Sequence, residues 1–233
     1  METCIYFVEK PEFLSREGPR PPVSPPEGAR LLLRGGGFTA AGRWRAPAPQ
    51  PGAAGLILDD RFLPDRRGAA AALRALEDWP GLLVLDLERR PGPAAAELTE
   101  LLARLPGPER IALPPVWDSL PHGALLLGPR RDALPLPGLP RARENALPCL
   151  ADGPPLRHLA RPGGAWRYWA GALPEAGLPC PGAGCLQRRL PDGSVLLWDT
   201  KKTLTARCRA AGVCWILFRE DWDPLPEGGR EEL

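Results

Sequence analysis

Gly81-Leu82-Leu83-Val84-Leu85-Asp86-Leu87-Glu88 is the stretch that decides how the chain is read. An unbroken apolar run leads into two carboxylates spaced i, i+2. Side chains on a strand alternate faces, so Asp86 and Glu88 point the same way, about 7 Å apart along the strand. A parallel strand buried on both faces reads as a continuous apolar run. The carboxyl ends of such strands are where α/β folds place their chemistry, and carboxylate pairs there do general acid/base work. The competing reading of the octapeptide is a plain strand whose last residues reach solvent.

Outward from this strand the same pattern recurs. Cys4–Val8, Arg30–Arg34, Gly55–Asp60, Arg110–Leu113, Ala124–Gly128, Ser194–Asp199 and Val213–Phe218 each read as a short apolar strand. Leucines at helical spacing predict helices over 68–79 and 94–105, the second stopping before Pro106-Gly107. A third helix is predicted over 200–211, with Thr200 as its N-cap and Gly212 at its end. Pro191-Asp192-Gly193 reads as a turn. Residues 11–29 read as a Pro-rich irregular segment. Residues 129–190 have no clear period and read as an irregular insertion or lid. Gly35-Gly36-Gly37 lacks the spacing of a dinucleotide fingerprint.

Eight strands, several followed by helices and several ending in acid, predict a single α/β domain over residues 1–233. Its expected form is a compact (β/α)8 TIM-type barrel with several short or missing helices. The alternative is an open doubly wound sheet.

Composition narrows the function classes. The 30 Lys+Arg balance 28 Asp+Glu at a formal charge of +2, which argues against a nucleic-acid or membrane partner. Lys10, Lys201 and Lys202 are the only lysines, so the arginine excess reads as compositional bias. The 32 Pro and 26 Gly are interleaved with strong apolar runs, which indicates irregular connections around a real core. The start, Met1-Glu2-Thr3-Cys4-Ile5-Tyr6-Phe7-Val8, lacks a basic n-region, and no run reaches the ~18 residues of a membrane span. A cytoplasmic or spore-associated setting is therefore expected. The cysteines at 4, 149, 180, 185, 208 and 214 are expected as free thiols rather than a disulfide framework, with a Cys4 zinc site as the lesser reading.

Leu83–Glu88 resembles the fourth strand of family 18 glycoside hydrolases, the chitinase-like barrels, whose motif is D-G-x-D-x-D-x-E. Asp86 and Glu88 match its last two acids. Gly81, Leu82 and Val84 stand at its first Asp, its Gly and its middle Asp. The segment Asp192–Thr200, then Lys202 and Leu204, then Ala211–Trp215, is similar to that family's ending. There a strand closes with aromatic-Asp, a helix follows, and the last strand carries a Trp at the floor of the sugar site. The resemblance spans residues 55–221.

The resemblance implies substrate-assisted hydrolysis of N-acetylglucosamine-containing glycans, of the chitin or peptidoglycan type. Glu88 would be the general acid and Asp86 would orient the attacking acetamido group. Trp215, Trp198, Asp199, Asp59, Asp60 and Trp117 would bind substrate. No cofactor and no metal is implied. The Tyr that supports the intermediate in that family has no counterpart near Leu125–Gly128, and Val84 replaces an acid. The alternative is thus an inactive barrel that binds glycan or a protein partner. A third reading, a metal-dependent hydrolase, requires Asp59, Asp60 and Asp86 to converge. His122 and His158 are the only histidines and neither has a nucleophile setting, which argues against a Ser-His-Asp hydrolase.

Overall fold

The computed structural model describes residues 5–9, 24–35, 37–38, 44–45, 51–59, 74, 76, 79, 81–86, 100, 103, 107, 110–114, 125–128, 150–152, 155–210, 214–228 and 230–231. Eight parallel strands form one sheet: β1 (Ile5–Glu9), β2 (Arg30–Arg34), β5 (Ala53–Asp59), β6 (Leu82–Asp86), β7 (Ile111–Leu113), β8 (Leu125–Gly128), β9 (Leu150–Asp152) and β15 (Cys214–Phe218). Their order is β1-β15-β9-β8-β7-β6-β5-β2, and β2 pairs back onto β1, so the ring closes. Between β2 and β5 lies a small hairpin of β3 (Gly37–Phe38) and β4 (Trp44–Arg45).

A second, six-stranded sheet follows β9. Its strands are β10 (Arg157–Ala160), β11 (Arg167–Tyr168), β12 (Ala176–Cys180), β13 (Cys185–Arg189), β14 (Val195–Trp198) and β16 (Arg230–Glu231). They run in the order β11-β10-β14-β13-β12-β16, antiparallel except for β12 beside β16. Two helices are delimited among the described residues: α1 (Lys201–Ala210) and the single turn α2 (Arg219–Trp222).

The expected (β/α)8 barrel is therefore corrected. Such a fold alternates each strand with a helix, whereas this is a mostly-sheet α/β fold with two delimited helices and a second sheet as large as six strands. The helices expected over 68–79 and 94–105 lie almost wholly outside the described residues. The open doubly wound alternative also fails, because β2 pairs back onto β1 and no strand of the parallel sheet is left as an edge. Residues 155–190, expected to be irregular, hold β10–β13. The strand read at Ser194–Asp199 exists as β14, but it lies in the antiparallel sheet. Its expected place in the parallel ring is taken by β9, a three-residue strand too short to show a period.

Alternation along the strands sets two sides of the ring. Val8, Leu32, Ile57, Leu82, Val84, Ala112, Cys214, Ile216 and Phe218 pack together inside it. Ile5, Phe7, Trp215 and Leu217, one residue out of phase, pack outward against Leu204 and Cys208 of α1 and Trp222 of α2. Gly55 lies where β5 and β6 approach closely: a Cβ there would sit 2.1 Å from the Leu82 carbonyl oxygen.

The second sheet has two buried faces. Leu156, Cys180, Ala183, Cys185 and Leu197 cluster on one, and Leu186, Leu196 and Trp198 on the other. The turn before β14 forms as the Pro-Asp-Gly sequence predicts. Gly193 has φ +80°, and the Asp192 carboxylate accepts from the Ser194 N–H at 2.9 Å and hydroxyl at 3.0 Å. Those bonds, the backbone one foremost, hold the Asp192 carboxyl below its ordinary range.

Thr200 caps α1 as expected. Its hydroxyl accepts from the Thr203 N–H at 3.1 Å, and the Thr203 hydroxyl accepts from the Thr200 N–H at 2.9 Å. Thr203 thus does the work that Glu or Gln does in a capping box. Among the described residues no helix is long and apolar enough to cross a membrane.

Candidate functional site at the carboxyl ends of the parallel strands

Asp86 is the last residue of β6 and stands two residues beyond Val84, so it shares the ring's interior side with Val84 and Leu82. It is buried, at 8% exposure. Asp59 ends β5 directly opposite, in register with Asp86. Two strands away, Arg34 closes β2 in the same phase as Leu32. Its guanidinium stacks over the Phe218 ring, 4.8 Å from the centroid, and pairs with Glu220 at the start of α2. The Arg34 side chain is almost wholly buried, while Glu220 is exposed.

The result is a charged rim over an apolar floor. Val84, Ile57 and Leu32 fill the interior beneath it. A carboxylate and a guanidinium fixed by a ring face and a second carboxylate can orient a polar ligand by directed hydrogen bonds. Carboxyl ends of parallel strands are the usual place for such groups.

The other expected site residues are distributed differently. Glu88, Asp60 and Trp117 lie outside the described residues. Trp215 is on β15 but faces outward, fully buried against α1 and α2, and so forms no floor to the interior. Trp198 is fully buried in the second sheet, with its ring against Gly177, where a Cβ would come 2.3 Å from the indole. Asp199 is fully buried beside it in sequence and is tied up internally. It accepts from the Leu156 N–H at 2.7 Å and the Thr203 hydroxyl at 3.0 Å, and it pairs with Arg207 of α1. Burial pushes the Asp199 carboxyl up, opposed by the Arg207 guanidinium and these hydrogen bonds.

Three of the sequence-derived contacts are thus packing and ion-pair residues of the junction between ring, helix and second sheet. Arg34, Phe218 and Glu220 were missed. The signal for Arg34 was present: a charge closing the apolar strand Arg30-Leu31-Leu32-Leu33-Arg34 in phase with its inward leucine.

The cysteine expectation also changes. Cys214 is disulfide-bonded, whereas Cys180, Cys185 and Cys208 are free and buried. Among the described residues no group of three or more His, Cys, Asp or Glu is placed to hold a metal ion. No protein-family model matches the chain, and no curated protein or solved structure matches it either.

Proposed function

We propose that the carboxyl-end rim of the parallel ring acts on N-acetylglucosamine-containing glycans of the chitin or peptidoglycan type, by substrate-assisted acid catalysis. The observation that supports this reading is Asp86, a buried carboxylate on the interior side at the end of β6, two strands away from the fixed guanidinium of Arg34. In this reading Glu88 protonates the glycosidic oxygen. The substrate's own acetamido oxygen attacks the anomeric carbon, and Asp86 accepts a hydrogen bond from the acetamido N–H and orients it. Asp59, Asp60 and Trp117 contact the sugar. The setting that goes with it is cytoplasmic or spore-associated work on glycan fragments, without cofactor or metal.

A second reading, a barrel that binds glycan or a protein partner without turnover, is favoured by one observation. Val84 occupies the position of the family's middle acid and is fully buried in the apolar interior, so no carboxylate stands beneath Asp86 at that point.

Hydrolysis of a fluorogenic chitobiose or chitotriose separates them. The expected result is measurable turnover by the wild type, reduced at least about 100-fold in Glu88→Gln with an unchanged thermal midpoint. Turnover that persists in the variant contradicts the catalytic assignment. No turnover in a folded wild type moves the conclusion to the binding reading.

A further inference from the structure

We propose that Cys180 and Cys185 are a reversible dithiol–disulfide site, oxidised by low-molecular-weight disulfides. The two residues end β12 and begin β13, and they are direct partners in the antiparallel register. Directly opposed antiparallel residues have Cα atoms roughly 4.5–5.5 Å apart. That range falls within the ~4.4–6.8 Å that a disulfide spans. Being partners, both side chains leave the same face of the sheet and pack into the same buried cluster. Closing the bond needs a rotation of side chains rather than a movement of backbone.

Access comes from the hairpin tip. Pro181, Gly182 and Gly184 are exposed, and Cys180 is the less buried of the pair, at 8% against 2%. Burial, and then the nearby Asp199, push the Cys185 thiol up to about 12, and Cys180, the less buried of the two, is the one a reagent meets first.

The exchange balances as two steps. Cys180 loses its proton, and its thiolate attacks one sulfur of the small disulfide. A mixed disulfide forms and one small thiolate leaves with that proton. Cys185 then gives up its proton and attacks the Cys180 Sγ, and the second small thiolate leaves with it. Two electrons pass from the two protein thiols to the reagent's S–S bond.

The cross-link lies beneath α1. The stem of Arg207 crosses the tip, where a Cβ on Gly184 would meet its Cγ at 2.9 Å, on the way to Asp199. Oxidation therefore ties the hairpin together directly under the arginine that pins the helix to the second sheet. Cys208, the other free thiol among the described residues, packs toward the ring's outer wall and is the internal control.

The test equilibrates the full chain with excess oxidised glutathione, alkylates in denaturant, and maps the peptides by mass spectrometry. The expected product is a Cys180–Cys185 link, two hydrogens lighter than the reduced peptide and reversed by dithiothreitol, with Cys208 still alkylated. The thermal midpoint should rise by roughly 5 °C. Cys185→Ser should stop at a stable glutathione adduct on Cys180. Persistent glutathione adducts on the native pair, a link from either residue to Cys208, or both thiols recovered unreacted would each overturn the proposal. Because the native chain carries the decisive readout, a variant that fails to fold does not obscure it.

Discussion

Arg207→Met should lose about 3–5 kcal/mol of stability at neutral pH, and the deficit should shrink as the solution is made acidic. The methionine keeps an apolar stem over Gly184 but withdraws the guanidinium that compensates a fully buried carboxylate. Leu156 N–H and the Thr203 hydroxyl remain as donors to Asp199, but neither carries charge. In the wild type burial raises the Asp199 carboxyl above its ordinary 3.8, and Arg207 opposes that rise. Removing Arg207 lets it climb further.

The sign follows from proton counting. Between 3.8 and the raised folded value, the folded chain holds a proton that the unfolded chain has lost, so stability falls as pH rises through that window. The variant's window is wider. Its deficit against the wild type is therefore smallest in acid and grows with pH, by at most about 1.4 kcal/mol per unit. Urea denaturation of both proteins across a pH series measures this. A deficit that stays constant with pH would mean that the pair contributes only packing.

Trp198→Ala and Trp215→Ala should each cost about 3–5 kcal/mol, because each removes a large, fully buried side chain from a packed cluster. The phenylalanine variants should cost much less. Each indole N–H is buried without a hydrogen-bond partner among the described residues, so the change to Phe removes an unpaired donor along with some volume. A sugar-platform role makes a different forecast, since stacking residues lose ligand affinity and leave stability nearly intact. Chemical denaturation together with chitotriose binding on the same four variants distinguishes them. Weakened binding at unchanged stability in Trp215→Phe would restore the platform.

The strands of the ring were legible in the sequence because each is a short apolar run bounded by Gly, Pro or charge, and β1, β2, β5, β6, β7, β8 and β15 lie where those runs lie. The second sheet was not. Its strands β13 and β14 have buried residues on both faces, such as Leu196 against Leu197, which blurs the alternation that marks a half-buried strand. The run Val195-Leu196-Leu197-Trp198 looked like a parallel strand for the same reason. Asp199 then seemed to sit at a strand's catalytic end, when it is in fact a buried anchor for α1. That role depends on Leu156, Thr203 and Arg207, all of which are a helical turn or more away in sequence. On the parallel ring, Asp86 was legible because strand phase alone carries it inward. Trp215 misled because the same phase, one residue off, sends it outward.

The measurement that bears most directly on the proposed site is calorimetric titration of chitotriose into the wild type and into Asp86→Asn, with the thermal midpoints of both recorded. The expected result is saturable binding by the wild type, weakened at least about tenfold in the variant, or ~1.4 kcal/mol. Equal binding by the two proteins, or none by the wild type, would contradict a glycan site at the carboxyl ends of the parallel strands.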